Sequence, residues 1–240
     1  MKSTINVYRT VNALTSRLAV AALALLVAGN VGMAANRNPN QGVVKPDGQY
    51  RGDSYGEREA IWWQTMLSIP VVNGQHPLLT GGAVISNNVA YLAVSTTDSN
   101  ATINVTIPTG TAVFVPIVNA ECSSIEPDPF HGDTELQMRT CANGHIDNTS
   151  GLSASIDAVP VNSLQSYRVQ SPLFEFTLPE DNILEFQGIP APAGTTAQAV
   201  DAGVYLLLNP LSPGGHTIRV SGTFDEFGTR INTTFHITVQ

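Results

Sequence analysis

Thr102-Ile-Asn-Val-Thr-Ile107, the turn Pro108-Thr-Gly110, and Ala112-Val-Phe-Val-Pro-Ile-Val118 make up the stretch that decides the fold. In the first segment Ile103, Val105 and Ile107 alternate with Thr102, Asn104 and Thr106. A period of two puts the apolar set on one face of a half-buried strand. The second segment is apolar almost throughout and predicts a more deeply buried strand. With a Pro-Gly turn between them, the two segments predict a hairpin.

The same period recurs on both sides of this stretch. Ile231, Thr233, Phe235, Ile237 and Val239 alternate with Asn232, Thr234, His236 and Thr238. Further short runs at 89–96, 153–159, 173–178, 183–186, 203–208 and 217–221 are separated by Gly, Pro and other turn residues. Many short strands with little helix predict an all-β chain, an antiparallel β-sandwich of immunoglobulin-like or jelly-roll-like type. The period changes to 3.6 only upstream. Ser54-x-x-Glu57 is a capping box. Ile61, Trp62, Met66 and Ile69 follow near one helical face, and Pro70 stops the helix. Trp62 and Trp63 suggest a helix lying across a large apolar surface, with stacking against a sugar ring as the other use of two indoles.

Between the strands near Val118 and Ser153 lies a long insertion that carries both cysteines, Cys122 and Cys141. Thr134-x-x-Gln137 predicts a short helix near 135–142, and Gly144 suits its end. The cysteine pair predicts a disulfide worth ~3 kcal/mol. Glu121, Glu126, Asp128, His131 and Asp133 crowd into the same insertion, which makes it the candidate ligand or metal loop. The plain reading is a solvated acidic loop. Carboxylates at close spacing can also hold a divalent cation or act as an acid–base pair. Their spacing matches no EF-hand, so no cofactor is expected.

The leader supplies an address. Lys2, Arg9 and Arg17 precede an unbroken apolar run at 18–28, and Gly32-Met33-Ala34 follows. This is the pattern of a signal peptide over residues 1–34, cut after Ala34 or Ala35. The run is too short to span a bilayer, which takes roughly 20 apolar residues. Residues 35–53 predict a flexible arm, and 54–240 a single β-sandwich domain. Cleavage would remove three basic residues and none of the nineteen acidic ones, making the formal charge of −8 three units more negative. Such a surface excludes nucleic acid and anionic lipid as partners. The motifs Gly-x-Ser-x-Gly, Ser-x-x-Lys and His-Glu-x-x-His are missing.

Three stretches together carry a resemblance. They are Tyr55-Gly-Glu-Arg-Glu-Ala-Ile-Trp-Trp-Gln-Thr-Met-Leu-Ser-Ile-Pro70, Ile107-Pro-Thr-Gly-Thr-Ala-Val-Phe-Val-Pro-Ile-Val-Asn-Ala-Glu121 and Leu211-Ser-Pro-Gly-Gly-His-Thr-Ile-Arg-Val-Ser-Gly222. The chain resembles a group of secreted bacterial β-sandwich proteins of unassigned function, with a Trp-Trp-Gln helix and a Pro-Gly-x-His-Thr-Ile hairpin. The last motif is also similar to the end of bacterial immunoglobulin-like domains, where Tyr often stands in place of His216. The resemblance brings no catalytic residues. The expectation is a secreted or periplasmic protein with a non-enzymatic binding or structural role toward an envelope or extracellular ligand. The alternative is a polysaccharide hydrolase or lyase using the loop carboxylates and His131.

Overall fold

A computed structural model describes Asn40 and residues 42–240. The signal-peptide reading of 1–34 lies outside the described residues. The elements in order are β1 (Gln49–Tyr50), β2 (Asp53–Ser54), α1 (Tyr55–Leu67), α2 (Pro77–Thr80), β3 (Gly81–Ser86), β4 (Val89–Ser95), β5 (Thr102–Ile107), β6 (Ala112–Ser123), α3 (Glu135–Asp147), β7 (Thr149–Ile156), β8 (Val159–Pro160), a 3-10 turn at Leu164–Tyr167, β9 (Arg168–Gln170), β10 (Phe174–Thr177), α4 (Ile183–Phe186), β11 (Thr196–Leu208), β12 (Gly214–Phe224) and β13 (Thr229–Val239). Among the described residues strands hold 46% and helices 19%, so this part of the chain is mostly β.

One sheet runs β10-β11-β6-β4-β3, with β9 on a further stretch of β11. A second runs β5-β13-β12-β7-β8, and β1 and β2 form a small ribbon. Most pairs are antiparallel, but β4–β6 and β5–β13 are parallel. The expectation of a purely antiparallel arrangement is corrected to this extent.

The alternation at 231–239 appears as read: Ile231, Thr233, Phe235, Ile237 and Val239 are buried. The hairpin expected from 102–118 does not form. Ile103 and Val105 pair with Phe235 and Ile237 of β13, while β6 pairs with β4 and β11. The Pro108–Thr111 turn carries the chain from one sheet to the other, and Thr109 N–H donates to Gln240 O at 2.9 Å. Alternation fixes which face of a strand is buried, not which strand lies beside it. Here the twelve-residue β6 takes the thirteen-residue β11 as its partner.

β6 is buried at all but one position because it is covered twice. Helix α3 packs on it, and so do β7 and β12 of the second sheet. Helix α1 begins at the expected capping box: Ser54 Oγ accepts from Glu57 N–H, and Glu57 Oε2 accepts from Ser54 N–H. It lies on β10 and β11, with Trp62 2% exposed and its Nε1–H donating to Leu92 O at 2.7 Å.

Three local readings change. Residues 183–186, read as a strand, form α4, capped by Asn182 accepting from Glu185 N–H. The helix beginning after Thr134 passes through Gly144 and ends at Asp147. A single short N-terminal helix and one insertion helix were expected, whereas four α-helices are present among the described residues. Of the arm expected at 35–53, Val43 is buried in the core and Val44 N–H donates to Leu207 O at 2.7 Å.

Candidate functional site

Two strands and one helix bring carboxyl groups to one place in the interior. Antiparallel pairing sets Asp201 of β11 directly opposite Glu121 of β6, and Gly203 opposite Asn119. Like charges so placed repel. Helix α1 adds Glu59, which stands three and four positions before Trp62 and Trp63 and so falls on the same helical stripe. Glu59 and Asp201 are 0% exposed, and Glu121 is 5% exposed. A half-buried fourth group, Glu126, comes from the start of the Cys-flanked insertion.

The surrounding donors are few. Tyr205 O–H donates to Asp201 Oδ2 at 2.7 Å, and Asp201 N–H donates to Ser171 Oγ at 2.8 Å. Gly203 makes room for that tyrosine: a Cβ there would lie 2.4 Å from the Tyr205 ring and 2.9 Å from Asn119 Cβ. Ser123 O–H donates to Glu126 Oε2 at 2.8 Å. Both Glu59 oxygens, Asp201 Oδ1 and Glu121 Oε1 have no hydrogen-bond partner. The Trp63 indole N–H makes no hydrogen bond of normal geometry, yet it lies close enough to Asp201 to favour the charged form. Among the described residues no ion pair reaches any of the four carboxyls. Arg58, next to Glu59 in sequence, is committed elsewhere, to Tyr91 Oη, Tyr50 O and Asp53.

Buried carboxyls without counter-charges resist ionisation. Burial pushes Glu59 well above the usual carboxylate range, and Asp201 adds to the rise. Burial also raises Asp201, to about 7, against the opposing pull of Tyr205 and Trp63. Glu121 is raised by burial first, then by Glu126 and Asp201. Glu126 is raised by burial but held back by hydrogen bonds from Glu121 and Ser123. Glu121 and Glu126 therefore titrate together, the charge of Glu126 adding to the rise of Glu121. Such a pair splits its titration into two steps that belong to both groups.

Glu121 and Glu126 line a cavity of about 490 Å³ whose other walls are mostly apolar. Trp63, Leu67, Leu78, Phe130, Ile183 and Phe227 are among them. The wall residues come from α1, α2, the residue following β4, β6, the insertion, α4 with the residues after it, and the β12–β13 turn. A mainly apolar hollow with a few convergent polar groups is the usual form of a small-molecule site. No basic residue lines it.

Asp128 and Asp133 of the insertion face outward. Cys122 and Cys141 are bonded, with Cα atoms 6.2 Å apart, and tie β6 to α3. Beside them an open groove of about 760 Å³ is lined by Asp128, His131, Asp133, Cys141, His145 and Glu226. His131 Nδ1 contacts Glu126 O at 2.8 Å and Nε2 contacts Asp133 Oδ1 at 3.1 Å. Asp133, followed by the Glu126 carbonyl, raises its pKa above the ordinary histidine value. His145 bridges Glu226 and the Pro129 carbonyl.

Of the predicted loop residues, the structure brings Glu121 and Glu126 together at the cavity, joins His131 to Asp133, and leaves Asp128 and Asp133 exposed. Among the described residues, the group of three or more metal-ligating atoms lying within 4.8 Å of one another is Cys122, Cys141 and His145. There the two sulfurs are already bonded to each other, and the five predicted residues form no such group. The two tryptophans also part. Trp62 is enclosed in the core and offers no free face, whereas half-buried Trp63 lines the cavity. Sequence reasoning missed Glu59 and Asp201. The signals were an acid on the Trp62/Trp63 stripe and a lone charge inside Ala199-Val-Asp-Ala-Gly-Val-Tyr205. No family model matches this chain, and no curated protein and no solved structure proves similar to it.

Proposed function

We propose that this is a secreted or periplasmic protein, its two main sheets packed as a β-sandwich, that binds a small and largely apolar molecule at the cell envelope without transforming it. The cavity carries this reading. A volume of about 490 Å³ lies within the roughly 300–1,000 Å³ range of small-molecule sites. Glu121 and Glu126 supply its charged groups among mostly apolar wall residues. The disulfide suits an oxidising compartment. Among the described residues no helix is long and apolar enough to cross a membrane.

The alternative, a polysaccharide hydrolase or lyase using loop carboxylates and His131, finds less support. Asp128 and Asp133 are exposed, and the His131 ring is occupied by Glu126 O and Asp133. Glu121 and Glu126 lie close enough to shift one another's titration. The paired carboxyls of glycosidases are about 5 Å or more apart.

Titration with the neutral probe N-phenyl-1-naphthylamine tests the binding reading. Saturable binding with energy transfer from tryptophan is expected, and Phe227→Ala should weaken it. A probe that fails to saturate, or binding indifferent to Phe227→Ala, would remove the cavity from consideration.

A further inference from the structure

The reading of the cavity as a binding site leaves open what its polar end selects, and the following inference rests on that reading. The charged side chains in the lining are Glu121 and Glu126. Glu121 is 5% exposed, and its Oε1 has no hydrogen-bond partner. A buried acceptor left unpartnered costs about 1–3 kcal/mol, so it marks a place where a donor is wanted. The rest of the lining includes Trp63, Phe130, Phe224 and Phe227, whose ring faces attract cations. An anionic ligand would meet two carboxyls and no basic group. A purely apolar one would leave Glu121 unsatisfied.

We propose that the cavity takes a small molecule with an apolar body and one ammonium group, the ammonium lying between the Glu121 and Glu126 carboxyls and the body lying against Trp63 and Phe227. An ammonium ion has three N–H donors and can serve both carboxyls at once. It also removes the reason for the pair to retain a proton. Burial and mutual repulsion raise both carboxyls, which favours a retained proton on the pair before binding. When RNH₃⁺ arrives, the retained proton leaves to solvent and the complex holds two carboxylates and one ammonium. Binding is therefore coupled to release of up to one proton, and affinity for the ammonium rises with pH. The acidic net charge of the chain, −8, draws such cations toward the surface in a salt-dependent way. That general attraction is separable from the site because it does not depend on one glutamate.

The test is calorimetry on the purified full-length protein with octylammonium, 1-octanol and octanoate, at pH 7.5 and about 150 mM salt, where surface attraction is largely screened. Octylammonium should bind at least tenfold more tightly than octanol, and octanoate most weakly. Repetition in buffers of different ionisation enthalpy should show proton release with octylammonium and none with octanol. Glu126→Gln, nearly the same shape, should abolish both the tenfold preference and the proton release. Glu121→Gln gives the same test should the first variant fold poorly, with folding checked by thermal melting. Equal affinity for all three probes would leave the cavity as a binding site and overturn the ammonium assignment. An ammonium preference that survives both substitutions would overturn it as well, by placing the cation elsewhere. If none of the three binds, the binding reading itself falls.

Discussion

The carboxyls at the β6–β11 crossing and those of the Asp128–Asp133 loop belong to one short region of sequence but behave as different chemistry. Glu121 sits on a central strand, unsatisfied at one oxygen and short of any cation. Asp133, twelve positions on, lies in water with His131 beside it. The residue type is nearly the same and the environment sets the role. In the loop, solvation keeps the acids ionised at little cost. In the interior, ionisation is so expensive that protons are retained instead. An acid cluster in sequence therefore says little until the fold decides which members leave water.

The largest effect expected from this contrast is on stability against pH. Asp201 is raised in the folded state, so the native protein binds more protons than the unfolded chain between the two pKa values. Its stabilising contribution is complete below the unfolded value and is lost as pH rises through about 7. For one group moved that far the loss is on the order of 4 kcal/mol. Melting temperature should fall from pH 5 to pH 8, and Asp201→Asn should flatten that profile. A melting temperature that rises over this interval would break the comparison. Next is the bridge joining the two regions. Reducing Cys122–Cys141 should lower stability by ~3 kcal/mol, read by urea unfolding with and without reductant. An unchanged midpoint would mean the loop is held without it.

Smaller effects sharpen the picture. Gly203→Ala should cost about 1–3 kcal/mol, because a methyl group there collides with the Tyr205 ring. The loss should be accompanied by a changed Tyr205 environment in near-ultraviolet dichroism. In the loop, Asp133→Asn should change stability by no more than about 0.5 kcal/mol. Its visible consequence should be confined to His131: the carboxylate raises that pKa, so its removal should lower the titration midpoint measured by NMR. A large loss of stability in this variant would place the loop on the same footing as the interior.

The parts legible in the sequence are those where one face of one element meets one environment. Ile231 to Val239 could be read because a single face is buried. Ser54 and Glu57 could be read because a capping box is local. The β5–β6 hairpin could not, since each strand's periodicity is satisfied equally well by a distant partner. Ile183–Phe186 is too short for its period to choose between helix and strand. Asn182-x-x-Glu185 ahead of it carried the deciding signal, with Asn182 as the cap. At the site, Glu121 and Glu126 were found through their neighbours in sequence, and their partners Glu59 and Asp201 arrive from 62 and 80 positions away through α1 and β11. The cavity itself has no sequence signature, because its walls come from seven separate segments.

The parallel pairing of β5 with β13 sets an order of events in time. Asn100 and Asn232, which join side chains at the head of this pair, are 132 positions apart. Strand β13 lies between β5 and β12. While the chain is being made, β5 is complete long before its ladder partner β13 exists. The second sheet can close only after residues 229–239 have emerged. Contacts so distant in sequence also make for slow folding. A ribosome-bound chain halted before β13 should therefore show protease-sensitive β5, and release of the last strand should act as the trigger for folding.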